Sequence, residues 1–286
     1  KCMQSKPITG LKNWVNFFNK ADIPVLKLTG NELFLLVQQE KTLSARSVAN
    51  IIKRDPLMTV KLLRYFCQHK SRSLEHEVMQ AEQILIMLGV DKAMKNVLPE
   101  PTVEELLREQ KVEVLINLLH LVHRSHIASN YAFEWAVRLH DTHFEEIRIA
   151  ALLHDISELL MWCFAPTDML RIREMQKKDK TLRSYLAQQQ VLGFTLADLQ
   201  SELVLKWSLP ELLITLMDDH NASLQRVRNV VLAVNLARHS ANGWDDAALP
   251  DDYSAISELL RMSVHDVKIV VGAKNIEPTN THQSEH

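Results

Sequence analysis

Apolar residues along this chain recur at a period near 3.6, so the pattern predicts helices from one end to the other. In "SARSVANIIKRD" (44–55), Val48, Ile51 and Ile52 form one stripe, with Ser44 or Ser47 placed to cap it. Asp55-Pro56 ends that helix and opens "PLMTVKLLRYFCQ". Proline is tolerated in a first helical turn because the N–H it lacks would have no intrahelical partner. "VMQAEQILIMLG" (78–89) runs to Gly89, which suits a left-handed C-cap. Five further starts place a carboxylate three residues after a hydroxyl: Thr102/Glu105, Thr142/Glu145, Thr195/Asp198, Ser208/Glu211 and Ser263/Asp266. No alternating pattern of useful length predicts a strand, so the fold class is all-α. "LPEPT" (98–102), with two prolines, divides a smaller N-terminal helical lobe (1–98) from a larger C-terminal one (103–275) and is the hinge candidate. Residues 276–286 are expected to be a polar tail.

Composition narrows the function. The 286 residues are 47% hydrophobic and 24% charged, enough apolar material for a sizeable core. The net charge of −2 supplies no global field for nucleic acid or an anionic membrane. The basic run "RIREMQKKDK" (171–180) is broken by acids and suits a solvated helix face, so nucleic acid is not an expected partner. Six glycines leave no P-loop and no GxGxxG. Three separated cysteines give neither a disulfide framework nor a thiolate zinc site, which fits a reducing cytoplasm; Cys67 and Cys163 read as small core residues. No apolar run reaches membrane-spanning length and no secretory signal opens the chain, so no membrane association is expected.

Candidate chemistry centres on "IAALLHDISELLMW" (149–162), where His154 and Asp155 stand together among apolar residues. They read either as metal ligands or as a buried pair in which Asp155 accepts hydrogen bonds and orients His154. His120, His123 and His126 recur at steps of three, as a metal face, a pH-sensitive patch or ordinary exposed helix residues. Asp218-Asp219-His220 offers ligand chemistry at a helix end. Trp135, Trp162 and Trp207 read as core.

With the helices placed, four stretches resemble the HDOD domain, an output domain related to the HD superfamily. They are "VANIIKRDPLMTVKLLRYF", "AEQILIMLGVDKAMKNVL", "ALLHDISELL" and "QQQVLGFTLADLQSELVLKWSLPELLITLMDDHN", in family order across residues 23–238. The resemblance implies a two-lobed helical fold in a bacterial signalling protein. Hydrolytic HD relatives bind a divalent metal through a histidine, a His-Asp pair and a final aspartate. His154-Asp155 matches the pair, and the first histidine falls between Arg124 and His126. Val234 stands where the final aspartate belongs, in "VLAVNLARHS". Valine offers no lone pair, and Asn235 lies about 100° round the helix. Leu196, Ala151 and Ser157 also replace family histidine and glycine positions.

The expectation is a non-catalytic output domain with no cofactor, recognising a signalling protein or a small effector in a cleft between the lobes. His154, Asp155, His126 and His123 are then vestigial metal candidates. The alternative is a metal-dependent phosphohydrolase acting on a nucleotide or other phosphoester, with a divalent metal held by His126, His154, Asp155 and either Asp218 or Asp219.

Overall fold

The computed structural model describes residues 7–39, 41–70 and 78–273, so the expected tail at 276–286 lies outside the described residues. Leu11–Lys20 (α1), Lys27–Gln39 (α2), Ala45–Ile52 (α3), Pro56–His69 (α4), Ala81–Leu88 (α5) and Val90–Asn96 (α6) precede the connector. Val103–Leu106 (α7), Val112–Arg138 (α8), Phe144–Leu153 (α9), Ile156–Phe164 (α10), Pro166–Lys178 (α11) and Ser184–Leu192 (α12) follow it. Then come Leu196–Lys206 (α13), Glu211–Met217 (α14), Gln225–His239 (α15), Leu249–Leu260 (α16) and Val264–Val270 (α17). No β-strand occurs among the described residues, and the fold is all-α. No single helix there is long and apolar enough to cross a membrane.

Helix α8, 27 residues long, is the central post. Its small residues Ser125, Ala128, Ser129, Ala132 and Ala136 share one buried stripe. Small side chains let neighbouring backbones approach closely, and α9 and α15 pack most heavily against this helix. Asn229 of α15 donates to the Ala132 carbonyl at 3.1 Å, closing a polar contact inside the interface. Trp135, Trp162 and Trp207 are all buried, as their surroundings predict, and so are Cys67 and Cys163.

Helix α1 packs on α13, across the expected lobe boundary. Trp14 and Phe18 are buried there, and the Trp207 indole donates to the Phe18 carbonyl at 3.3 Å. The connector is pinned. Val25 N donates to Pro101 O at 2.9 Å, Val103 N returns a bond to Val25 O at 2.8 Å, and the buried Lys61 ammonium donates to Glu100 O at 2.7 Å. Such bonding opposes the hinge motion expected of "LPEPT".

Local capping explains most helix starts. Ser44 caps α3, Thr102 and Thr195 form full capping boxes with Glu105 and Asp198, and Ser263 caps α17. Two expected starts differ. Phe144 opens α9 behind His143, whose N–H binds Asp141 Oδ1 at 2.9 Å, so Thr142 caps nothing. Ser208 takes a left-handed φ of 54° and α14 begins after Pro210, because the chain must reverse behind the buried Trp207. Gly89 has the positive φ of 80° expected of it, joining α5 directly to α6.

Asp55 is the polar anchor of the N-terminal half. Its Oδ1 accepts from Leu57 N and Met58 N, capping α4, while Oδ2 accepts from Leu26 N and Thr29 Oγ1. One buried carboxylate thereby fixes α4 against the chain entering α2. Asp55→Ala strands four donors and should cost about 2–4 kcal/mol of unfolding free energy. Exposed Lys53→Ala should stay within about 0.5 kcal/mol. Urea denaturation of both variants checks this; equal midpoints would remove the anchor role.

Candidate functional site

Helices α9 and α10 form one apolar run that breaks at His154–Asp155. A break in a core leaves backbone groups without helical partners, and Gln200 of α13 satisfies them. Its Nε2 donates to the carbonyls of Leu153 and His154, and its Oε1 accepts from Ser157 N at 3.0 Å. Ser157 Oγ donates to Leu196 O at 2.9 Å, completing the seam between α10 and α13. The residues that replace the family's glycine and histidine here are thus used in packing and backbone pairing.

The His154 ring lies between two carboxylates. Nδ1 donates to Asp155 Oδ1 at 3.0 Å and Nε2 donates to Asp219 Oδ1 at 2.7 Å. Burial opposes a charge on the ring, but the bonds to both aspartates prevail and raise its pKa to about 10. Burial likewise works against the Asp155 charge, yet the His154 bond, with the positive fields of Arg124 and Arg238, holds Asp155 below the usual carboxylate range. Glu158, one turn on, is pushed the other way by burial and by Asp155, with the Trp162 indole as hydrogen-bond partner. The result is an imidazolium clamped by two carboxylates, with both ring nitrogens used as donors.

The three helical histidines separate in space. His120 and His123 are exposed and line a cleft with His154 and Asp155. His126 is absent from that cleft; it is half-buried, and burial, His123, Arg54 and Arg148 lower its pKa. It therefore does not join the set proposed for hydrolysis. Arg124, inside the first-histidine window, is the α8 residue whose charge acts on both Asp155 and Glu158. Asp219 reaches His154, whereas Asp218 caps the 3-10 turn and binds the exposed His220 at 2.9 Å. Val234 is buried, and Asn235 accepts from Arg238 at 2.8 Å.

These residues do not fit a divalent metal. A metal needs imidazole lone pairs and a full ligand set, whereas both His154 nitrogens are directed at carboxylates within hydrogen-bond distance and Val234 adds no donor. No three His, Cys, Asp or Glu side chains among the described residues are arranged to hold an ion.

The cleft measures 2110 Å³, well beyond the ~300–1,000 Å³ of small-ligand pockets, and opens as a groove. All its lining residues fall between Asn117 and Asp246. It therefore lies within the C-terminal helices, not between the lobes as expected.

Against this geometry, the HDOD domain model matches residues 23–223. The chain belongs to the HDOD domain family. The MmoQ response regulator from Methylococcus capsulatus strain Bath shares the fold at 16% identity and a TM-score of 0.66, over 88% of this chain and 99% of that one. A virulence factor from Campylobacter jejuni subsp. jejuni does so at 18% identity and a TM-score of 0.62, over 93% of each chain. At these identities the likeness shows the fold alone. No curated protein matches.

Sequence reading missed Gln200, Arg124 and Arg238 as parts of this site. The Gln200 bonds span 43 to 47 residues and follow no motif. It also missed His239, whose Nδ1 donates to buried Asp252 Oδ2 at 2.6 Å.

The His154 pKa of about 10 lies above the unfolded value near 6.5, so the network stabilises the fold fully below pH 6.5 and less as pH rises toward 10. His154→Gln should cost about 2–4 kcal/mol at pH 6 and less than half of that at pH 9.5. Paired urea titrations at the two pH values measure the difference. A cost independent of pH would mean that the ring is neutral.

Proposed function

We propose that this chain is a non-catalytic output domain of a bacterial cytoplasmic signalling protein, acting by binding in its C-terminal cleft. The ligand is a signalling protein partner or a small effector. The observation that carries the reading is the His154 imidazolium held between Asp155 and Asp219, at the position where hydrolytic HD relatives use neutral imidazole as a ligand. Arg124 and Arg238 add positive charge from α8 and α15, so the carboxylates are balanced without an ion. The description of one structural relative as a response regulator accords with a signalling role.

Phosphohydrolase chemistry is the competing reading, and the meeting of His154, Asp155 and Asp219 is what favours it. A metal there would have to displace a strongly held proton and do without a donor from Val234. Protein purified without added metal and without a histidine tag should hold well under one equivalent of iron, manganese or zinc. His154→Ala should leave that amount unchanged. About one equivalent in the wild type that vanishes in the variant would establish the metalloenzyme instead.

A further inference from the structure

A second histidine–aspartate pair faces the same cleft from the opposite end of α15. His239, the last residue of that helix, donates through Nδ1 to Asp252 Oδ2 at 2.6 Å. Asp252 lies in the first turn of α16 and is buried. Its carboxylate accepts, so the Nδ1 proton is fixed and Nε2 is the free position of the ring. That nitrogen has no partner among the described residues, and His239 lines the cleft.

The neighbouring charges are predominantly positive. Arg238 lines the cleft beside His239 and is exposed. Arg124 enters from α8 with no hydrogen-bond partner among the described residues. Both guanidinium groups act on the charge of Asp155, which places them in one region of the groove. Asp155 itself is already taken by His154. Two further carboxylates line the groove here: Glu158, on which Arg124 also acts and whose charge burial opposes, and Asp246, from the segment joining α15 to α16, which accepts from Ala248 N at 2.8 Å. Trp244, on the same segment and half-buried, offers an apolar face next to these donors.

We propose that His239, Arg238 and Arg124 form a subsite for the phosphoryl group of a small effector whose aromatic or apolar body lies against Trp244. Guanidinium forks arriving from two helices pair with phosphoryl oxygens, and the imidazolium form of His239 presents Nε2–H to the same anion while Nδ1 stays on Asp252. A phosphoryl group of charge about −2 is drawn to them more strongly than a singly charged carboxylate. Asp252 supports the site by orienting the ring. This inference rests on the reading of the cleft as a binding site and names the ligand chemistry it takes.

The test uses the full chain, phenyl phosphate as probe and benzoate as the carboxylate comparison, each titrated while histidine ring signals are followed by NMR. Phenyl phosphate should shift the His239 signals saturably, and benzoate should bind at least tenfold more weakly. His239→Gln and Arg238→Gln should each weaken phenyl phosphate at least tenfold, and Arg108→Gln, remote from the cleft, should not. Arg238 is exposed, so its variant remains informative if His239→Gln fails to fold. Equal affinity in all three variants, saturation at other histidines, or preference for benzoate would each overturn the subsite. Release of phenol by the wild type would sink the non-catalytic reading while leaving the binding arm intact.

Discussion

A helix that breaks inside a hydrophobic core must satisfy its loose backbone groups and its charges on the spot, and the His154–Asp155 break imposes that demand here. Unpaired buried amides and carbonyls each cost on the order of 1–3 kcal/mol, so the break persists only because α13 supplies Gln200. Ser157 and Leu196 then tie α10 to the same helix. The side chains at the break inherit this rigidity. Asp155 and His154 are held where a ligand or a counter-charge must meet them, and the chain meets them with Asp219, Arg124 and Arg238.

The electrostatics of the site follow from one missing donor. Carboxylates gathered in a half-buried site need positive charge nearby, and a divalent ion or basic side chains can provide it. Val234 deprives an ion of its final carboxylate while leaving Asp155 in place. A protonated His154 restores balance at short range and the two arginines do so at longer range. The same arrangement removes the lone pairs a metal would use. In the proposed reading, the ionic network and the absence of a final carboxylate at Val234 are two sides of one charge balance.

What the sequence reveals about this fold depends on the range of the interaction. Asp55-Pro56, Thr102/Glu105 and Thr195/Asp198 were legible because a cap is closed by residues two or three positions away. Thr142 and Ser208 carry the same local signal and fail, since Asp141 and the reversal after Trp207 decide those starts. His154-Asp155 was legible through family order, and Asp219 only as one of two candidates. The separation that decides between Asp218 and Asp219 is a turn geometry that no spacing encodes. Gln200, Arg124 and the His239–Asp252 pair depend on helix packing across 13 to 47 residues. Their side-chain types are common on any helix, so nothing in the linear pattern marks them.

The placement of the cleft constrains how a binding event is passed on. Its lining runs from Asn117 to Asp246, so a ligand bound as proposed would contact helices after the connector. The connector itself is bonded to Val25 and Lys61, and Asp55 locks α4 to the start of α2. Rocking of the N-terminal helices about "LPEPT" would break these buried bonds, each of which must be remade or hydrated at a cost. Contacts that leave those bonds intact run through elements that touch both cleft and surface. The α15–α16 pair qualifies, because His239 faces the groove while Asp252 belongs to a helix packed on α17. Tyr131 of α8 donates to Val271 O at 3.2 Å, so the end of α17 is bonded back to the central post. The wall of the groove and the last described helix are thus joined through packed, hydrogen-bonded neighbours.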